Sequence, residues 1–176
     1  MNLLTEKKIS KDIPHRNGDE YFEDFGIFID VFNSETDRGK VLIALSYIDE
    51  LLRRTLLAFL TENDVSLKLV DGFNAPLGTL STRNAIAYSL GLILDIEYQD
   101  IETLRKIRNL YAHNVHTSFE NEKIINLCKN LRMAHSTTTE TKERFCTSAI
   151  GIITGFSGRA ECVHKYKLSP CVWAEK

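Results

Sequence analysis

The sequence predicts an all-α fold, a single-domain helical bundle of about six to seven helices, on three observations. Apolar residues recur at three- and four-residue spacing along most of the chain, the period of one helix face. Leucine and isoleucine dominate the apolar set, and no series of short Val/Thr-rich alternating runs offers a strand pattern. Only three prolines interrupt 176 residues, a length that suits one domain with a real core.

Residues 1–20 are polar and carry Pro14, Asn17 and Gly18, so they read as a flexible leader to a domain over residues 21–165. A first helix is expected from about Tyr21 to Asn33, with Phe22, Phe25, Phe28, Ile29 and Phe32 as its apolar face. Small polar residues and acids at Ser34 to Asp37 start the longest helix, about Glu35 to Glu62. Its stripe is Leu42, Leu45, Ile48, Leu52, Leu56, Phe59 and Leu60. A short amphipathic piece, Val65 to Val70, stops at Asp71-Gly72. Phe73 to Leu80 holds a proline and neighbouring glycines and reads as a loop, though not a P-loop, since the Gly-Lys-Ser/Thr ending is missing.

Ser81 is expected to cap a helix running to about Leu94. Asp95 is a candidate cap for the next helix, about Glu97 to Ala112. Ser118 to Asn121 starts another, ending near Leu131, and Ser136 to Thr139 is a polar linker. A final helix covers about Glu140 to Gly155 and extends toward Lys165, weakened by Gly151, Gly155 and Gly158, where a kink or close helix contact is expected. Residues 166–176, with Pro170 and Trp173, read as an irregular tail.

The net charge of -2 argues against a protein that grips DNA through its phosphates, because such proteins present a basic surface. The one compact basic cluster outside predicted helices is Lys7, Lys8, Lys11 and Arg16, which reads as a solvated tail. No helix-turn-helix with a basic recognition helix is apparent, so direct sequence-specific DNA binding is not expected. Cys128, Cys146, Cys162 and Cys171 match no zinc spacing, and with no signal peptide the thiols are expected free in a cytoplasmic protein. Cys128 and Cys146 read as small core residues. No apolar run approaches a membrane span, so no membrane association is expected. His113-Asn114-Val115-His116 offers two imidazoles without a placed third ligand, and neither a metal nor any other cofactor is expected.

Three charges fall on apolar faces. With about 100° of rotation per residue, Asp49 lies about 40° from Leu45 and about 20° from Leu56 on the long helix. Arg83 lies about 20° from both Leu90 and Leu94, beside a stripe of Ile86, Leu90 and Leu94. Arg108 lies about 40° from Leu104, at the edge of the stripe Ile101, Leu104, Ile107 and Tyr111. Buried charges are costly unless paired, so a structural cluster of Asp49, Arg83 and Arg108 is expected, the aspartate accepting from one or both arginines.

Arg108-Asn109-Leu110-Tyr111-Ala112-His113 carries the chemistry-bearing residues. Arginine holds a phosphate through a forked pair of hydrogen bonds, and histidine moves protons near neutral pH. Arg108-Asn109 followed by His113 resembles the Arg-x4–6-His signature of HEPN domains, helical bundles that often dimerise. Many of these are metal-independent RNases and many others are inactive binding modules. The resemblance implies a catalytic reading in which His113 exchanges a proton with an RNA 2′-hydroxyl or the leaving oxygen. Arg108 would then stabilise charge at phosphorus, and Asn109 would orient a phosphate oxygen. His113 lies about 140° around the helix from Arg108, so the two converge only if the helix ends or distorts near Ala112. Asn114, which tolerates a left-handed conformation, is a candidate end.

A longer resemblance covers Ala44 to Leu131. Its residues are Tyr47-Ile48-Asp49-Glu50-Leu51-Leu52, then Gly72-Phe73-Asn74-Ala75-Pro76-Leu77-Gly78-Thr79-Leu80-Ser81-Thr82-Arg83, then Ala87-Tyr88-Ser89-Leu90-Gly91-Leu92-Ile93, and Ile107-Arg108-Asn109-Leu110-Tyr111-Ala112-His113. In residues, order and connection lengths this is similar to the mannitol operon repressor family. The resemblance implies an all-helical bundle and a regulatory role. Two functions therefore stand open. One is a non-enzymatic regulatory module, expected to be a homodimer with a protein partner. The other is a metal-independent endoribonuclease whose partner is RNA.

Overall fold

The structure, a computed structural model, describes residues 18–171, with side chains from Asp24 onward. Among the described residues there are eight helices and no strand: α1 (Gly18–Ser34), α2 (Asp37–Phe59), α3 (Asp64–Val70), α4 (Leu80–Ser89), α5 (Asp95–His113), α6 (Glu122–Lys129), α7 (Thr141–Ser157) and α8 (Arg159–His164). The basic cluster at Lys7 to Arg16, the side chain of Phe22 and Trp173 lie outside the described residues or side chains.

The long helix α2 is the axis of the bundle, touching α1, α3, α4, α5, α7 and α8. Its sequence explains this. Val41, Ala44, Leu45, Ile48, Leu51, Leu52, Leu56 and Ala58 are all buried, a spread wider than the single stripe of a surface helix. Thr36 caps its start by accepting the Gly39 N–H at 3.1 Å. Around α2, the aromatic residues Phe28, Phe32, Tyr111, Phe119, Phe145 and Phe156 fill the core with Ile101, Leu104, Ile107, Ile152 and Ile153.

Helix ends leave carbonyls without intrahelical donors, and here basic side chains from other elements satisfy them. Lys40 reaches Phe32 O and Asn33 O at the end of α1. Arg38 donates to Tyr111 O, and to Asn114 O and Val115 O at 2.8 Å each, closing α5. Arg144 donates to Cys128 O at 2.9 Å and Leu131 O at 2.8 Å, closing α6.

The expected elements form with shifted ends. Thr79 rather than Ser81 caps α4, in a reciprocal pair with Thr82. α4 stops at Ser89, not Leu94, because Gly91 takes a left-handed turn (φ +71°) that glycine adopts without steric cost. Its buried face is accordingly Arg83, Asn84 and Ala87, while Leu90 and Leu94 are exposed. The last expected helix is divided at Gly158 into α7 and α8. Lys167 then reaches Glu62 at 2.7 Å, and the Leu168 N–H donates to Phe59 O at 2.8 Å, fastening the following chain to the end of α2. No helix among the described residues is long and apolar enough to cross a membrane.

Two buried acids join α5 to the C-terminal half. Asp100 is 1% exposed and accepts from Arg132 N (3.0 Å), Met133 N (2.8 Å) and the Ser148 hydroxyl (2.9 Å). Glu97 pairs with Arg159 at 2.6 Å and accepts from Leu94 N at 2.7 Å. All four cysteines are free thiols; Cys128 is buried and Cys146 half-buried, while Cys162 and Cys171 are exposed. Burial pushes the Cys128 thiol up to about 12, which leaves almost no reactive thiolate at neutral pH.

Two outcomes follow from this packing. Asp100→Ala strands two half-buried backbone donors and the buried Ser148 hydroxyl and should cost about 3 kcal/mol in urea unfolding; a loss below about 1 kcal/mol would mean that water replaces the carboxylate. Iodoacetamide at neutral pH should label Cys162 and Cys171 in the folded protein and spare Cys128 until denaturant is added, as read by peptide mass mapping.

Candidate functional site

The blocks Tyr47–Leu52, Gly72–Arg83 and Ile107–His113 meet where α2, the α3–α4 loop and α5 come together. Arg83, in the first turns of α4, organises this junction and is 7% exposed. Its Nε donates to Leu77 O at 2.9 Å and its Nη2 to Val70 O at 3.0 Å. Its Nη1 lies 2.9 Å from Asp49 Oδ2, and Asp71 Oδ1 stands 3.7 Å from Nη2. One guanidinium thus touches α2, the end of α3 and the loop that leads into its own helix. Asp71 is held from the other side by Arg53, at 2.8 Å from Nε and 2.6 Å from Nη2.

Arg108 stands apart from that cluster. It is exposed, no ion pair joins it to Asp49, and its Nη1 lies 3.4 Å from Asn109 Oδ1. Ile107 and Leu104 occupy the seam of α5, and Arg108, at the edge of the stripe, extends past them. It lines a recessed polar pocket of about 460 Å³ with Asp49, Ser46, Thr79, Ser81 and Arg105. Arg105 is committed to Glu102 at 2.8 Å.

His113 opens elsewhere. α5 stays helical through His113, and Asn114 after it is extended (φ -134°, ψ 115°), not left-handed. The Arg38 contacts at the end of α5 support that regular ending. His113 therefore remains about 140° around the helix from Arg108. It borders a second, shallower depression of about 650 Å³ between α5 and α6, with Lys106, Leu110, Lys123 and Leu127. Asn109, half-buried, borders both depressions. Tyr111 belongs to the core; burial raises its phenol well above the ordinary range, so it stays protonated. Among the described residues no group of three or more His, Cys, Asp or Glu is placed to hold a metal ion.

The wheel argument placed Asp49 and Arg83 on inward faces, and it missed Asp71, Arg53 and the backbone carbonyls of Val70 and Leu77. One signal was available for Asp71. An acid at the C-terminal end of a helix opposes the helix dipole, so its presence there points to a cationic neighbour.

The geometry separates the two arginines energetically. Asp49→Ala should cost about 2–3 kcal/mol, somewhat less than a fully sealed pair, because Arg83 keeps two carbonyl partners and Asp49 is partly hydrated. Arg108→Ala should cost less than about 0.5 kcal/mol. Urea unfolding of both variants checks this, and a larger loss at Arg108 than at Asp49 contradicts it.

Comparison with known proteins identifies a relative by fold and a family. An X-ray structure of the MtlR–HPr complex from Escherichia coli contains a chain with the same fold, at a TM-score of 0.64 and 20% sequence identity, covering 78% of this chain and 99% of that one. No curated protein matches the chain. The family model described as mannitol repressor (MtlR) matches residues 33–149, which span α2 to most of α7 and contain every residue of the junction. This chain belongs to the mannitol repressor family.

Proposed function

We propose that the chain is a non-enzymatic regulatory module that works through contact with a protein partner rather than by cleaving RNA or reading DNA. The observation that carries this reading is the separation of Arg108 and His113 on one unbroken helix. General acid–base catalysis needs the proton-transfer group within hydrogen-bond reach of the reacting centre, or one water away. Charge stabilisation must act at that same centre. Within one chain, Arg108 and His113 open onto different depressions.

Other features support the same reading. The one basic residue of α4 is Arg83, which is buried, so that helix offers no cation to a phosphate backbone. The family is described as a repressor, which favours a regulatory output. The Escherichia coli relative by fold was crystallised in complex with HPr, which favours a protein as the immediate partner. The reading includes the homodimer implied by the resemblance, and sedimentation of the purified chain checks it.

Mixed RNA incubated with purified protein and a chelator should stay intact. An HPr protein titrated into the chain in a calorimeter should give a saturable heat. RNA fragments with 2′,3′-cyclic phosphate ends, lost in a folded His113→Ala variant, would overturn the reading in favour of a metal-independent ribonuclease.

A further inference from the structure

We propose that the polar pocket between α2, the α3–α4 loop and α5 binds a small hydroxylated anion, such as a hydroxy carboxylate or a hydroxyl-bearing phosphate ester. The pocket measures about 460 Å³, within the range of small-ligand sites. Its charges are unevenly committed. Of the two arginines in its wall, Arg105 is spent on Glu102, and the buried Arg83 behind the wall is spent on Asp49, Val70 O and Leu77 O. Among the described residues, Arg108 faces no carboxylate within ion-pair distance and makes one long contact, at 3.4 Å, to Asn109. A guanidinium left in this state is a fork for a carboxylate or phosphate.

A second observation defines the other end of the ligand. Asp49 Oδ2 meets Arg83, and the Asp49 side chain, 30% exposed, also forms part of the pocket wall. A carboxylate there accepts an O–H or N–H group and repels a bare anion. A ligand that carries an oxyanion toward Arg108 and a hydroxyl toward Asp49 answers both demands. The Ser81 hydroxyl also lines the pocket and can serve the remaining polar atoms, and Ser46, whose proton goes to Leu42 O at 2.9 Å, can accept there. The site is independent of the protein-partner reading, since neither HPr binding nor RNA cleavage enters the argument.

Calorimetric titration of the full chain tests the site. The probes are glycerate and glycerol 3-phosphate, and the controls are glycerol and inorganic phosphate. One or both hydroxylated anions should bind, which also separates a carboxylate from a phosphate ligand. Arg108→Ala should weaken that binding by about tenfold or more, the loss of a charge-assisted contact. Glycerol should give no heat, and inorganic phosphate should bind about tenfold more weakly than the better probe, for want of the hydroxyl. Because Arg108 is exposed, its variant should keep the wild-type circular dichroism, and Arg108→Lys, which keeps the charge without the fork, provides a second reading of intermediate affinity. The proposal fails if neither probe binds at millimolar concentration, if Arg108→Ala binds as the wild type does, or if inorganic phosphate binds as well as the hydroxylated anions.

Discussion

The buried guanidinium of Arg83 is the constraint on which this junction depends. A charge placed 7% exposed among helices is tolerable only if its hydrogens find acceptors, and those acceptors dictate where neighbouring segments must lie. Val70 O fixes the end of α3, Leu77 O fixes the loop, and Asp49 fixes the facing turn of α2. The loop from Asp71 to Thr79 has few apolar contacts of its own to hold it: Phe73 is almost fully exposed. Its path follows from the Arg83 contacts together with the Leu77 N–H, which donates to Leu69 O at 2.8 Å, and the wall of the polar pocket follows from its path.

The second organising fact is the regularity of α5. Its inward residues Ile101, Leu104, Ile107 and Tyr111 are buried to the last turn, and Arg38 closes the carbonyls beyond. A helix held at both its core face and its end has no reason to unwind, so residues five apart stay on different sides. Arg108 is thereby given to the pocket against α2, and His113 to the groove against α6. The same six residues that look like a catalytic signature in one dimension become two surfaces in three. That division suits a protein that makes contacts on several faces.

Much of the fold was legible because the apolar stripes are long and the helix starts are marked by small polar caps. The faces were less legible where a helix is short and flanked by apolar residues that do not belong to it. Leu90 and Leu94 suggested a buried stripe for α4, yet Gly91 ends the helix before either can join it, and the real inward face is Arg83, Asn84 and Ala87. Arg83 was thus placed inward for a reason that does not hold, since its burial comes from acceptors on α2 and on the backbone around α3. Glu97 and Asp100 carried a better signal, standing about 20° and 40° from Leu104 on the α5 wheel. Their partners, Arg159 and the N–H groups of Arg132 and Met133, are too far along the chain for periodicity to pair them. Arg108 was ambiguous for a physical reason: at the edge of a stripe a long side chain can turn either way, and only the neighbouring helices decide.

The central claim is that position 83, and not position 108, carries the anchored guanidinium. Solvent exchange of the arginine Nε–H groups, resolved by nitrogen-15 NMR and assigned by single substitution, measures this directly. The arrangement predicts a slowly exchanging, separately shifted signal for Arg83 and rapid exchange for Arg108. Comparable protection at both positions, or protection at Arg108 alone, would contradict it.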